Sequence, residues 1–203
     1  INEIEPRNLW ANFLKISEIP RPSKKEEKIT EFIKHFGHRL NLETNVDETG
    51  NVVIRKPATK GYENLTCATL QGHLDMVPQK TPTSNHNFET DPIKPFIDHE
   101  WVTADQTTLG ADNGIGVAAA MSLLESTDIP HGPLEALFTI DEESGMTGAF
   151  ALTNKQLKGD ILLNLDGSGL ETLCIGCAGG INTDGTFEYN GSKPPDNHIS
   201  LTI

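Results

Sequence analysis

Four short segments hold the residues of this chain with the strongest chemical potential: Gly72-His73-Leu74-Asp75, Ala111-Asp112-Asn113, Asp141-Glu142-Glu143 and Leu165-Asp166-Gly167. One imidazole accompanied by several carboxylates is a nitrogen and oxygen donor set that suits a divalent cation, zinc in particular. Extended backbone sends residues i and i+2 to the same side. His73 and Asp75 would therefore project together, the ring as a ligand and the carboxylate as the group that orients it. Asp112 has two oxygens that can bridge two cations at the roughly 3.5 to 4 Å separation of dinuclear hydrolytic sites. Glu142 and Glu143 are adjacent, point in different directions and can take different tasks, one binding metal and the other accepting a proton from an activated water. Asp166 completes the acidic set. Without a cation these carboxylates would raise one another's pKa values, a conflict that a metal pair removes.

Each motif also has a plainer reading. A histidine ending a strand is often a hydrogen-bonded structural residue, and an Asp ahead of an apolar helix is commonly its N-cap. Here Asn113 can cap as well, which frees Asp112. Paired glutamates are frequent on surfaces, and an Asp before Gly167 can simply form a turn. Four ordered motifs together are more specific than any one of them. Gly114-Ile115-Gly116-Val117-Ala118-Ala119 imitates a dinucleotide fingerprint, but the polar stretch 103–113 stands where a buried strand should precede it.

The elements that must position these residues follow from periodicity. Residues 65–70, 134–140 and 161–165 read as apolar strands leading into His73, Glu142 and Asp166, so the three groups can meet beyond the carboxyl ends of one sheet. Helices are predicted over 5–18, 24–40, 115–124 and 147–152, the second opened by a Ser23-Lys24-Lys25-Glu26 capping box whose charge run forms a solvated face. Residues 42–47 and 51–55 read as a hairpin, and further strands are expected over 173–175, 182–189 and 198–203. The polar stretch 72–91 is longer than a connector needs, which marks it as functional. This alternation gives an α/β fold with a mixed central sheet flanked by helices. The texture changes after Gly179-Gly180, and the chain stops in mid-strand, as the front of a longer protein would.

Composition narrows the partners. Sixteen Lys and Arg against 29 Asp and Glu leave a formal net charge of −13, which repels phosphate backbones and anionic lipid, so neither nucleic acid nor a membrane is expected as a partner. No apolar run approaches the roughly 20 residues that cross a bilayer, and the first residues lack an export pattern, which points to the cytoplasm. Cys174-Ile175-Gly176-Cys177 spells C-x-x-C without a helix start or a second pair, so it reads as small strand residues rather than as a redox or zinc motif.

Taken together, the segments His73-Leu74-Asp75-Met76-Val77-Pro78, Thr108-Leu109-Gly110-Ala111-Asp112-Asn113-Gly114, His131-Gly132-Pro133-Leu134-Glu135 and Gly176-Cys177-Ala178-Gly179-Gly180 resemble the dinuclear zinc metallopeptidases of the aminoacylase and carboxypeptidase type, in the branch of the aminoacyl-histidine (Xaa-His) dipeptidases. The resemblance spans essentially the whole chain. It implies hydrolysis of a small peptide, with His73 and Asp166 on one zinc, Asp112 bridging, Glu143 on the second zinc, Glu142 as general base and Asp75 orienting His73. Cobalt or manganese would suit the same ligands. It implies a cis peptide after Asp112, a catalytic front portion over 1–183, and the start of a lid domain over 184–203 through which a homodimer would form. An N-acyl-amino-acid deacylase of the same family, or a non-catalytic binding or dimerisation module, are the other readings. The family's late histidine ligand and its Gly-Gly-His-Ser-Gly lid motif are absent from this sequence; His198 lies in the expected first lid strand and is not assigned as a ligand.

Overall fold

In the computed structural model, residues 1, 3–167, 169, 172–176, 179, 183–188, 190–191 and 196–197 are described. Backbone contacts divide the chain into two units, Ile1–Ser168 and Gly169–Ile203. All elements assigned among the described residues lie in the first unit.

Two amphipathic helices come first, α1 (Arg7–Ser17) and α2 (Glu27–Arg39). The antiparallel hairpin β1 (Glu43–Val46) and β2 (Val52–Lys56) follows as predicted. Asp47 closes its turn by accepting the backbone N–H groups of Thr49, Gly50 and Asn51 at 2.8 to 2.9 Å, and Gly50 supplies the required positive φ of 113°. Next come β3 (Ala68–His73), the hairpin β4 (Pro95–Asp98) and β5 (Trp101–Ala104), and α3 (Ala111–Glu125). β6 (Leu134–Thr139) leads into two single turns, α4 (Glu142–Gly145) and α5 (Thr147–Phe150), and β7 (Ile161–Asn164) ends the series.

The main sheet runs β1-β2-β6-β3-β7. β6 pairs antiparallel with β2 and parallel with β3, which in turn pairs parallel with β7, so the expected mixed sheet is present. His73 lies opposite Thr139, and Gln71 opposite Asn164. Three parallel strands therefore end along one edge. α1, α2 and α3 supply the apolar cover: Phe13, Ile16, Ile29, Ile33, Val117 and Met121 close over Ile54, Leu70 and Phe138. Each fully buried side chain of this size stabilises the fold by about 1.5–3 kcal/mol. Small residues on α3, Gly116, Ala118 and Ala120, are buried beside the sheet, where bulk would hold the helix away.

Several local expectations are corrected. α2 begins at Glu27 because the capping box does not form: the Ser23 hydroxyl donates to Asp75 instead, while Glu26 turns inward and accepts the Lys24 and Asp141 N–H groups. The β4–β5 hairpin follows the polar stretch 72–91 and was not expected from sequence; its exposed Phe96, Ile97 and Trp101 give no alternating pattern. β7 forms where an apolar strand is expected, and all four of its residues are exposed. Residues 172–176 and 183–188 carry no assigned strand, and the expected strand over 198–203 lies outside the described residues, as does Cys177.

Candidate metal centre

His73 is the last residue of β3, the central parallel strand, and its side chain is 1% exposed. Its Nδ1 lies 3.2 Å from Asp75 Oδ1, and its Nε2 lies 2.8 Å from Asp112 Oδ1, 3.5 Å from Asp166 Oδ2 and 3.9 Å from Glu142 Oε2. Donor atoms of two trios come within 4.8 Å of one another: His73 with Asp112 and Glu143, and His73 with Glu142 and Asp166. The six residues singled out from sequence thus share one place, although they come from four separate segments.

The backbone explains the convergence. β3, β6 and β7 run parallel, so His73, the Glu142-Glu143 turn and Asp166 all lie just past strand ends on the same edge. Asp141 pivots the second of these segments. It is buried, adopts a left-handed φ of 50°, receives the Thr147 hydroxyl on its carboxylate, and donates its own N–H to Glu26 Oε1 at 3.0 Å. Asp75 fastens the result. Its carboxylate accepts the Glu142 N–H at 3.0 Å, the Glu143 N–H at 3.2 Å and the Ser23 hydroxyl at 2.7 Å, in addition to facing the His73 ring.

Asp112 arrives from the start of α3, where the Asp112-Asn113 peptide is cis. Gly110, with φ of 70°, is the N-cap residue, and no side chain caps the helix. Asn113, read from sequence as an alternative cap, is instead buried and donates its amide to Leu165 O at 3.0 Å and Asp166 Oδ1 at 3.1 Å. Those two acceptors fix which way the amide points. Asn113 thereby ties the third ligand candidate to the helix that carries the second. Neither Arg21 nor the contact that Ser23 makes was foreseen from sequence, where Ser23 was read only as the first residue of a capping box. Proline does favour an extended preceding residue, and 21–23 runs as a short bridge along the segment after β3, with Met76 N–H on Arg21 O at 3.1 Å and Ser23 N–H on Met76 O at 3.3 Å.

The electrostatics match the donor set to cations. Burial disfavours charge on the His73 ring, yet hydrogen bonds to Asp75 and Asp112 and the nearby carboxylates raise its pKa to about 9. Burial pushes Glu142, Glu143 and Asp166 upward, and neighbouring carboxylates push further, against the pull of His73. Burial works the same way on Asp75, but its hydrogen bonds hold it down at about 2. So the cluster recruits a proton onto its one imidazole and resists ionisation at three acids. That is the signature of donors arranged for positive charge, and imidazole with carboxylates fits divalent cations. A cavity of about 170 Å³ opens beside Glu142 and Asp166, lined also by Ile140, Met146 and Leu162, which is room for part of a ligand rather than the whole of one.

Comparison with known proteins assigns the lineage. Residues 69–198 match the model of peptidase family M20/M25/M40, a stretch that holds every residue of the cluster. The chain belongs to this family. Among its M20/M25/M40 relatives, the cytosol non-specific dipeptidase of Escherichia coli (strain K12) is 48% identical over 195 residues, which are 96% of this chain and 40% of that protein. The crystal structure of aminoacylhistidine dipeptidase from Vibrio alginolyticus superposes with a TM-score of 0.81 at 54% identity, over 82% of this chain and 34% of that one. Aminopeptidase PepT from Bacillus cereus ATCC 10987 gives 0.68 at 29% identity, over 82% and 44%. The chain therefore spans well under half the length of these M20/M25/M40 relatives.

Proposed function

We propose that the full-length protein is a metal-dependent dipeptidase acting on Xaa-His or a broader range of dipeptides. The observation that carries this reading is the meeting of His73, Asp112, Glu142, Glu143 and Asp166 beyond three parallel strand ends, in a chain of a peptidase family whose similar relatives are named as dipeptidases. His73 and Asp166 would hold one divalent cation, Glu143 a second, and Asp112 both. Zinc suits this set best, with cobalt or manganese as substitutes. When bound, such ions acidify water and polarise a peptide carbonyl.

The chain's own groups supply the rest. Asp75 accepts from the His73 ring, which keeps Nε2 directed at the acids, and its grip on two backbone N–H groups sets where Glu142 and Glu143 stand. Glu142, its affinity for protons raised by burial, accepts a proton from water as the new C–O bond forms at the scissile carbonyl. It returns that proton to the nitrogen as the C–N bond breaks, so the products are an amino acid with a free carboxylate and an amine. In the same reading, 1–183 is the front of the catalytic domain and 184–203 begins a lid.

The test uses the full-length protein. Metal content and turnover of Xaa-His dipeptides are measured beside turnover of N-acyl amino acids. Glu142→Gln should retain its cations and lose about 100- to 10,000-fold in kcat. Turnover of N-acyl amino acids alone would make the protein a deacylase, and normal dipeptide turnover by the Gln variant would remove the proposed base.

A further inference from the structure

Arg21 sits between two prolines, 2% exposed, and directs its guanidinium into the floor of the cluster. Nη1 donates to Leu74 O and Asp75 O, both at 2.9 Å, and Nη2 donates to Gly110 O at 2.5 Å. Two acceptors belong to the segment that carries His73 and Asp75. The third belongs to the left-handed turn from which Asp112 departs. None of the three is a carboxylate, so among the described residues this fully buried cation has no direct ionic partner of the kind that would ordinarily repay its desolvation. The Asp75 and Asp112 carboxylates are near enough to favour its charge against the cost of burial.

We propose that Arg21 is a positioning residue that sets the separation of His73 from Asp112 by clamping their two backbone segments together, and that its fixed positive charge offsets part of the acidic cluster. This rests on the functional reading above. The geometry around the clamp is tight. A Cβ on Gly110 would lie 2.7 Å from Arg21 Nη2 and 2.8 Å from Met76 Sδ, and a Cβ on Gly114 would lie 2.7 Å from the same nitrogen and 3.0 Å from Phe13 Cε2. Glycine at both positions lets the guanidinium reach Gly110 O. Lysine cannot reproduce the fork, because one ammonium cannot serve three divergent carbonyls in the same planar geometry.

The experiment compares wild-type full-length protein with Arg21→Met, Arg21→Lys and Gly114→Ala. It measures cation affinity by competition with a chelator, the visible absorption of the cobalt-loaded form, and kcat and KM on a dipeptide. Arg21→Met should lose about 10- to 100-fold in cation affinity and in kcat, with KM changed less than about threefold and an altered cobalt spectrum. Arg21→Lys should recover part of that loss by restoring charge. Gly114→Ala, which crowds the guanidinium and keeps every charge, should shift the cobalt spectrum in the same direction, and it serves as the deciding variant if Arg21→Met does not fold. A folded Arg21→Met or Gly114→Ala protein with wild-type affinity, spectrum and kcat overturns the proposal, even if its melting temperature falls. Wild-type protein that binds cations but cleaves no dipeptide sinks only the functional reading; wild-type protein that binds none sinks both.

Discussion

Asp75 is saturated: a carboxylate offers about four acceptor positions, and here the His73 ring, the Ser23 hydroxyl and the N–H groups of Glu142 and Glu143 take them. Asp75→Asn would turn one oxygen into a donor facing other donors. Cation affinity and kcat should fall by about 10- to 100-fold. The same change has a pH signature in cation-free protein. His73 titrates near 9 in the fold against an ordinary 6.5, so the stability it adds is complete below about pH 6.5 and is lost as pH rises through 9. Asp75, held at about 2 against an ordinary 3.8, keeps its own contribution throughout that window and loses it only as pH falls toward 2. Melting temperatures of the cation-free protein should therefore decline between pH 6.5 and 9, and Asp75→Asn should flatten the decline. A profile equally steep in both proteins would remove Asp75 as the cause. His73, Asp75, Asp112, Glu142, Glu143 and Asp166 were legible in the sequence because each combines a chemical side chain with a strand end or helix start. Arg21, Ser23 and Asn113 were not: an arginine between prolines and a serine ahead of a helix look like linker and cap, and only the tertiary approach of 21–23 to the segment after β3 gives them work.

At the scale of elements, the site depends on how closely α3 approaches the ends of β3 and β7. The Asn113 amide occupies a slot whose wall includes Gly116; a Cβ there would lie 2.5 Å from Asn113 Oδ1 and 2.9 Å from Leu165 O. Gly116→Ala should therefore displace either the amide or the β7 end, costing about 1–3 kcal/mol in denaturant unfolding and loosening Asp166. Gly167→Ala, with no atom within 4 Å of the added carbon, should stay within about 0.5 kcal/mol and serves as the control. Equal losses in the two variants would show that the slot is not the cause. Periodicity recovered the helices and the main-sheet strands within a few residues, since apolar spacing is a local property. It missed β4–β5, whose Phe96, Ile97 and Trp101 remain exposed and give no buried face to read. It found β7 but gave no sign of its exposure, because apolar content alone does not report that the strand lies at the end of the sheet order.

At the scale of the whole molecule, the cluster joins the α1–α2 linker to the ends of three strands and the start of a helix. Cation binding should thus report on global stability. Removing bound cations from the full-length protein with a chelator should lower its melting temperature, and restoring zinc at about a hundredfold excess over its dissociation constant should return roughly 2.7 kcal/mol. An unchanged melting curve would uncouple the cluster from the fold. No helix among the described residues is long and apolar enough to cross a membrane. The net charge of −13 that sequence reading set against nucleic acid has a local expression here, where acids crowd a single imidazole. Fold class followed from the order of elements, whereas the division of the chain after Ser168 has no marker as plain as a proline-rich linker.

The strand order has one more consequence. β3 lies between β6 and β7, both of which are made after it. On the ribosome His73 emerges with no flanking strand on either side, and the acids of α3, α4 and the β7 end appear only later in synthesis. A nascent chain thus displays its imidazole before the carboxylates of Asp112, Glu142, Glu143 and Asp166 that gather around it. Metal capture by three donors then belongs to the folded sheet, because both trios need residues made after β3.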